Sequence, residues 1–236
     1  MKKIIVIAIS IFILVTVGVA QADIMNIDLL YDVSLYEGTP DQNKNNWGSG
    51  YGEHVMVGRN NSLYDSETMF GFDMRGLTDL LSPGDELVIN SLTFRAFNTL
   101  NLVVGQVAIA LGNTDNWDPN IVTWNSSHGD YGSTLSTSVS LGWQTLDSWI
   151  SWNVTSIGSD PIVDNDFLTF YLLSEASQDM ANLHNFEQQE FINGDHEAYL
   201  SVDYTIIPNS VPEPTTMLLL GTGLIGFAGA RRRFKK

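Results

Sequence analysis

Glu86–Phe97 reads ELVINSLTFRAF, and the reading of this stretch decides the fold class. Leu92, Phe94 and Ala96 alternate with Ser91, Thr93, Arg95 and Phe97. Successive side chains of a strand point to opposite faces, so a period of two buries one set and wets the other. The same alternation returns near the end of the chain, where Leu200, Val202, Tyr204 and Ile206 interleave with Tyr199, Ser201, Asp203 and Thr205. The second of these runs is Ala198–Ile206, and outward from the two, further short runs read as strands: Ile27–Leu35, Glu53–Val57, Glu67–Asp73, Val103–Leu111, Trp149–Val154 and Phe167–Leu173. Clusters of Gly, Asn, Asp, Pro and Ser separate them. A short helix-like piece, Met74–Leu81, stops at Ser82-Pro83-Gly84. No internal repeat or second domain is visible. Residues 23–207 are therefore expected to form one all-β domain, a β-sandwich of jelly-roll type.

Composition narrows the chemistry. The chain has 236 residues, 11 Lys and Arg against 27 Asp and Glu, a formal charge of -16 and no cysteine. Without cysteine there is no disulfide framework, no thiolate zinc site and no cysteine nucleophile. A chain this acidic lacks the basic patch that nucleic acid requires, so no nucleic-acid partner is expected.

The two ends differ from the body. Lys2 and Lys3 precede an uncharged apolar run from Ile4 to Ala20, and Ala20-Gln21-Ala22 supplies a small-x-small cleavage pattern. Residues 1–22 thus read as a signal peptide, with signal peptidase as a partner and Asp23 as the first mature residue. At the other end, residues 208–214 form a linker closing on Val211-Pro212-Glu213-Pro214. Residues 215–230 are uncharged and apolar, and 231–236 are basic through Arg231, Arg232, Arg233, Lys235 and Lys236. The apolar segment falls short of the roughly 20 residues of a comfortable transmembrane helix, a deficit that snorkelling arginines make up. Positive flanks stay cytoplasmic, which places the body outside the inner membrane during a transient anchorage.

This tripartite tail resembles the PEP-CTERM sorting signal. The resemblance implies an exosortase-type sorting protease that removes the helix, and delivery of the protein to the cell surface or an exopolysaccharide matrix. Pro212 and Pro214 keep the stretch extended, as a protease cleft requires. With both ends set aside, only Lys44, Arg59, Arg75 and Arg95 remain against all 27 acidic residues, so 4 against 27 gives the exported body -23. That charge keeps it soluble and favours neutral partners, or anionic ones bridged by a cation.

With the strands placed, the stretch from Val55 to Tyr204 resembles the DNRLRE-type carbohydrate-binding-module-like domain. The resemblance rests on Asn46-Trp47-Gly48, Val57-Gly58, Phe70-Gly71-Phe72-Asp73, Pro83-Gly84 and Ser91-Leu92-Thr93-Phe94. It continues through Trp117, Val122-Thr123-Trp124-Asn125, Trp149–Thr155 and Tyr199–Tyr204. Ser66–Met69 stand where that family carries an arginine, and Asn153 replaces its aspartate. It implies a jelly-roll sandwich that binds glycan or adheres, with extracellular polysaccharide as the expected partner.

Tryptophan is the most informative residue type, because it packs a core and also stacks on sugar rings. Trp152 shares parity with Ile150 and Val154 and is expected inside; Trp149 has the opposite parity and faces out. Trp117 and Trp124 flank Asp118-Pro119-Asn120 as core or loop-clamping residues. The candidate glycan contacts are Trp47 and Tyr51, in a Gly-rich loop, and Trp143, which follows Gly142. Asn45, Asn46, Asn125 and Gln144 supply hydrogen-bonding groups or form turns. Asp115, Asp118 and Asn120, or Asp160, Asp164 and Asp166, are candidates for a structural calcium ion, without an EF-hand pattern and without a defined site. No other cofactor is expected. His54, His128, His184 and His196 show no zinc spacing, no nucleophile elbow appears, and no motif singles out a carboxylate pair. The expected function is a non-catalytic surface or matrix protein. A polysaccharide hydrolase or lyase, and a structural protein without specific ligand, stand as alternatives.

Overall fold

The computed structural model describes residues 20–43, 54–60, 64–101, 104–115, 117–137, 141–174, 184–187, 196–209, 219–224 and 227. The body is mostly β-strand. In chain order the strands are β1 (Gln21–Tyr36), β2 (His54–Asn60), β3 (Tyr64–Asp73), β4 (Glu86–Asn101), β5 (Val107–Gly112), β6 (Tyr131–Thr137), β7 (Ser148–Asn153), β8 (Phe167–Ser174), β9 (His184–Glu187) and β10 (Tyr199–Ile207). Three short α-helices, α1 (Arg75–Thr78), α2 (Trp124–Ser127) and α3 (Asp160–Asp164), and two 3-10 turns, Trp143–Thr145 and Thr155–Ile157, interrupt them. The helix read over Met74–Leu81 shrinks to α1, within which Leu77 alone is buried, and a turn follows at Ser82–Asp85.

All ladders are antiparallel, and they form two sheets. In the first, β4 is flanked by β7 on one side and by β10 and β9 on the other. In the second, β3, β8, β5 and β6 follow one another. The sheets are not separate layers, because two strands belong to both. Residues 21–28 of β1 pair with β10, and residues 29–36, after a bulge between Leu29 and Tyr31, pair with β3. Likewise β2 pairs with β9 through His54–Val57 and with β3 through Gly58–Asn60. Gly58 stands where β2 changes partner, at a φ of +110° that a side chain would disfavour. The ladders β1–β10–β4–β9–β2–β3–β1 thereby close a ring of 6 strands, whereas the alternation alone pointed to two stacked sheets.

The core fills the space between the sheets. Phe94 on β4 sits at its centre, 5.1 Å from Phe70, 5.6 Å from Trp152 and 6.0 Å from Phe170 between ring centroids. Trp152 is buried as its parity predicts, and its indole N–H donates to the Val107 carbonyl at 2.8 Å. A buried indole thus keeps its hydrogen bond, which a dry interior otherwise makes costly to lose. A smaller cluster covers the opposite face of the second sheet, where Met69 and Tyr171 meet Trp117, Val122 and Trp124 from the β5–β6 connection. Trp117 donates to Thr169 Oγ1 at 2.9 Å and packs edge-on against Tyr31.

The expected signal helix lies outside the described residues. β1 begins at Gln21, two residues ahead of the expected cleavage after Ala22. Most of the expected helix 215–230 and all of the basic tail 231–236 also lie outside them. Residues 219–224 are helical, and among the described residues no helix is long and apolar enough to cross a membrane.

Candidate functional site

The outward face of the first sheet carries a cluster of aromatic residues. Strand parity builds it. Phe94 and Ala96 on β4, Ile150 and Trp152 on β7, and Leu200 on β10 point inward, so Arg95, Phe97, Trp149, Ser151 and Tyr199 point outward. Register then brings them together, with Phe97 opposite Trp149, and Arg95 opposite both Ser151 and Tyr199. The rings of Phe97 and Trp149 lie 5.6 Å apart, and those of Trp149 and Tyr199 5.2 Å apart, both edge-on. His196, just before β10, stacks on Phe97 at 3.9 Å with 11° between planes. Each of these rings is half-buried, with one side against its neighbours and the rest open to water.

Arg95 ties the cluster. Its guanidinium carbon lies 5.9 Å from the Trp149 ring and 5.6 Å from the Tyr199 ring. Its Nη1 donates to Tyr199 Oη at 2.7 Å, and its Nε to Ser151 Oγ at 3.1 Å. By contrast Arg59 and Arg75 are held by Asp65 and Asp73. His196 Nδ1 lies 3.2 Å from Glu187 Oε2, on a carboxylate buried beneath it. The rings are therefore fixed in place before any ligand arrives, which lowers the entropic cost of binding.

A second pair is built the same way on the other sheet. His128 Nδ1 lies 3.0 Å from Glu67 Oε1, and its ring stacks on Trp124 at 3.9 Å. Tyr131 Oη also donates to Glu67 Oε1, at 3.1 Å, while Glu67 Oε2 is buried without a hydrogen bond. Burial pushes the Glu67 carboxyl up against the opposing pull of His128, and burial together with Glu67 pushes the Tyr131 hydroxyl up to about 12.

The side chains expected to contact glycan fall outside what the structure describes. Trp47 and Tyr51 lie outside the described residues, as do Asn45 and Asn46. Trp143 opens the 3-10 turn Trp143–Thr145, and its side chain lies outside the described set. Asn125 is exposed and donates to Asp41 Oδ1 at 2.7 Å, and Gln144 is exposed. Trp149 faces outward as read, but Phe97, Tyr199, His196 and Arg95 had not been joined to it. Arg95, Phe97 and Tyr199 stand on the wet parity of their own runs, His196 lies just before the last run, and the missing information was which strands are neighbours. Two of the carboxylates considered for calcium make hydrogen bonds within the chain: Asp118 Oδ1 accepts from the Asn120 backbone and side chain, and Asp115 Oδ1 from the Thr169 backbone. Among the described residues no group of three or more His, Asp or Glu converges to hold a metal ion.

The PEP-CTERM protein-sorting motif is matched over residues 210–233, which takes in Val211, Pro212, Glu213, Pro214, Arg231, Arg232 and Arg233. These residues lie outside the described ones. The motif implies export, sorting to the surface and processing by an exosortase-type enzyme. No curated protein matches the chain.

Proposed function

We propose that the mature domain is a non-catalytic module of the cell surface or extracellular matrix that associates with exopolysaccharide through the Phe97–Trp149–Tyr199 face. The observation that carries this reading is the clustering of three aromatic rings and an arginine on the water-facing side of a sheet. Sugar rings present flat C–H faces that stack on aromatic rings, while their hydroxyls take up polar neighbours such as Ser151 and Asn153. An open sheet face, unlike a deep pocket, accepts a long polymer along its length. The sorting motif brings the protein to where such polymers are. The DNRLRE-type resemblance supports the same reading, and with it a jelly-roll sandwich. The charge of the body favours a neutral polymer, or an acidic one bridged by calcium.

Affinity electrophoresis of the mature domain through gels containing the cell's purified exopolysaccharide tests this. Retardation is expected for the wild type, with Kd raised about tenfold in Trp149→Ala and in Tyr199→Ala, the loss of one stacked ring. Trp47→Ala and Trp143→Ala separate the loop residues from the sheet face. Equal retardation of wild type, Trp149→Ala and Tyr199→Ala would remove the sheet face from the reading. New reducing ends or unsaturated products in the incubated polymer would replace the module with an enzyme.

A further inference from the structure

Both ends of the folded domain leave it at one place. Gln21 pairs with Ile206 and Ala22 with Thr205, so the chain before β1 and the chain after β10 emerge side by side, about 4.8 Å apart by strand spacing. Beyond Thr205 the chain stays attached. Ile207 pairs with Glu86, and the Asn209 backbone N–H donates to Asp85 Oδ1 at 2.9 Å. Asp85 Oδ2 in turn accepts from the Ser82 backbone at 2.9 Å, which closes the turn. Gly84 completes the seat: its φ is +90°, and a Cβ there would strike the Asn209 side-chain amide.

Asn209 is thus held on the folded domain, and Ser210 alone separates it from Val211. Two residues span at most ~7 Å even when fully extended, and proline at 212 and 214 disfavours a helix at those positions. A protease that takes this motif has the end of the domain against it. Ile207 at that end is 41% exposed, and Leu80, in the turn that runs on to Asp85, is 47% exposed.

We infer that the surface formed by Leu80–Asp85, Ile207 and Asn209 is a docking surface for the exosortase-type protease that processes the motif, and that the Asp85–Asn209 contact sets the motif's reach. This rests on the sorting reading of residues 210–233 and adds a contribution from the folded domain to it.

The test follows conversion of precursor to processed protein by pulse-chase in the native cells. Leu80→Ser combined with Ile207→Ser is expected to slow conversion at least fivefold. So is a 12-residue Gly-Ser insertion between Asn209 and Ser210, which lies beyond the last anchored residue and leaves the domain's own contacts in place. In the inserted precursor the Leu80 and Ile207 changes should add nothing further. Asp85→Ala should slow conversion, and a second change that lengthens the linker should not restore it. Wild-type conversion of the inserted precursor, or faster conversion, overturns the inference. Deletion of residues 215–236 is a separate arm: unchanged surface delivery there would remove the sorting reading itself.

Discussion

His184 shows what one buried residue does to the pH response. It has no exposed surface within β9, and burial pushes its pKa down to about 4. The folded value lies below the ordinary one near 6.5, so the unfolded chain takes up the proton first. The stability tied to the neutral ring is present above about 6.5 and is lost as pH falls toward about 4. At about 1.4 kcal/mol for each pH unit between the two values, the loss approaches about 3 kcal/mol. Urea denaturation at pH 7 and pH 4 should show the stability gap between wild type and His184→Gln narrowing by about that much. A constant gap would mean that the ring titrates normally. Glu67 works in the other direction. Its carboxyl is raised by burial, so its contribution is fully present below the ordinary carboxylate range and is lost as pH rises through the raised value.

At the scale of the element, β3 depends on a residue with no side chain. Gly71 lies beneath the Tyr31 ring, where an added Cβ would overlap ring carbons. That ring is wedged edge-on against Trp117 at 4.5 Å, and Trp117 is fixed by Thr169. Gly71→Ala is expected to cost about 1–3 kcal/mol by overpacking, and to change the near-ultraviolet tryptophan signal, both measurable on one purified variant. An unchanged melting curve would show that Tyr31 moves aside freely. Strands with a wet and a dry face, such as β4 and β10, were legible because burial of one face imposes period two. β9 was not, because His184–Glu187 is only four residues long and buried throughout. Nor was β6, whose Tyr-Gly-Ser-Thr-Leu-Ser-Thr sequence offers little apolar periodicity. The first residues of β1 were read as preceding the strand, since their pairing with β10 is a contact between distant parts of the chain. The candidate site follows the same rule: the outward parity of Trp149 was visible locally, and its meeting with Phe97 and Tyr199 required the strand order.

Over the whole molecule, charge is the dominant long-range term. A body at 4 positive against 27 negative residues repels itself when compact. Two of its arginines are engaged by Asp65 and Asp73, and a third is held among aromatic rings. Screening shortens the reach of the repulsion from about 30 Å at 0.01 M salt to about 3 Å at 1 M. The melting temperature should therefore rise by several degrees between low and high sodium chloride, and a flat profile would show that the carboxylates are spaced widely enough not to interact. The closed ring carries a different consequence, for the order of events during export. Its β1–β10 seam joins the first strand of the domain with the last, so among the described pairings it has the longest sequence separation and the largest loop-closure cost. Until β10 emerges, β1 and β4 each present an unpaired edge in the first sheet, the form in which a strand is most prone to pair with a neighbouring chain. Completion of the fold thus waits for the arrival of the very segment that leads into the sorting motif, and the domain becomes whole only as its address comes into view.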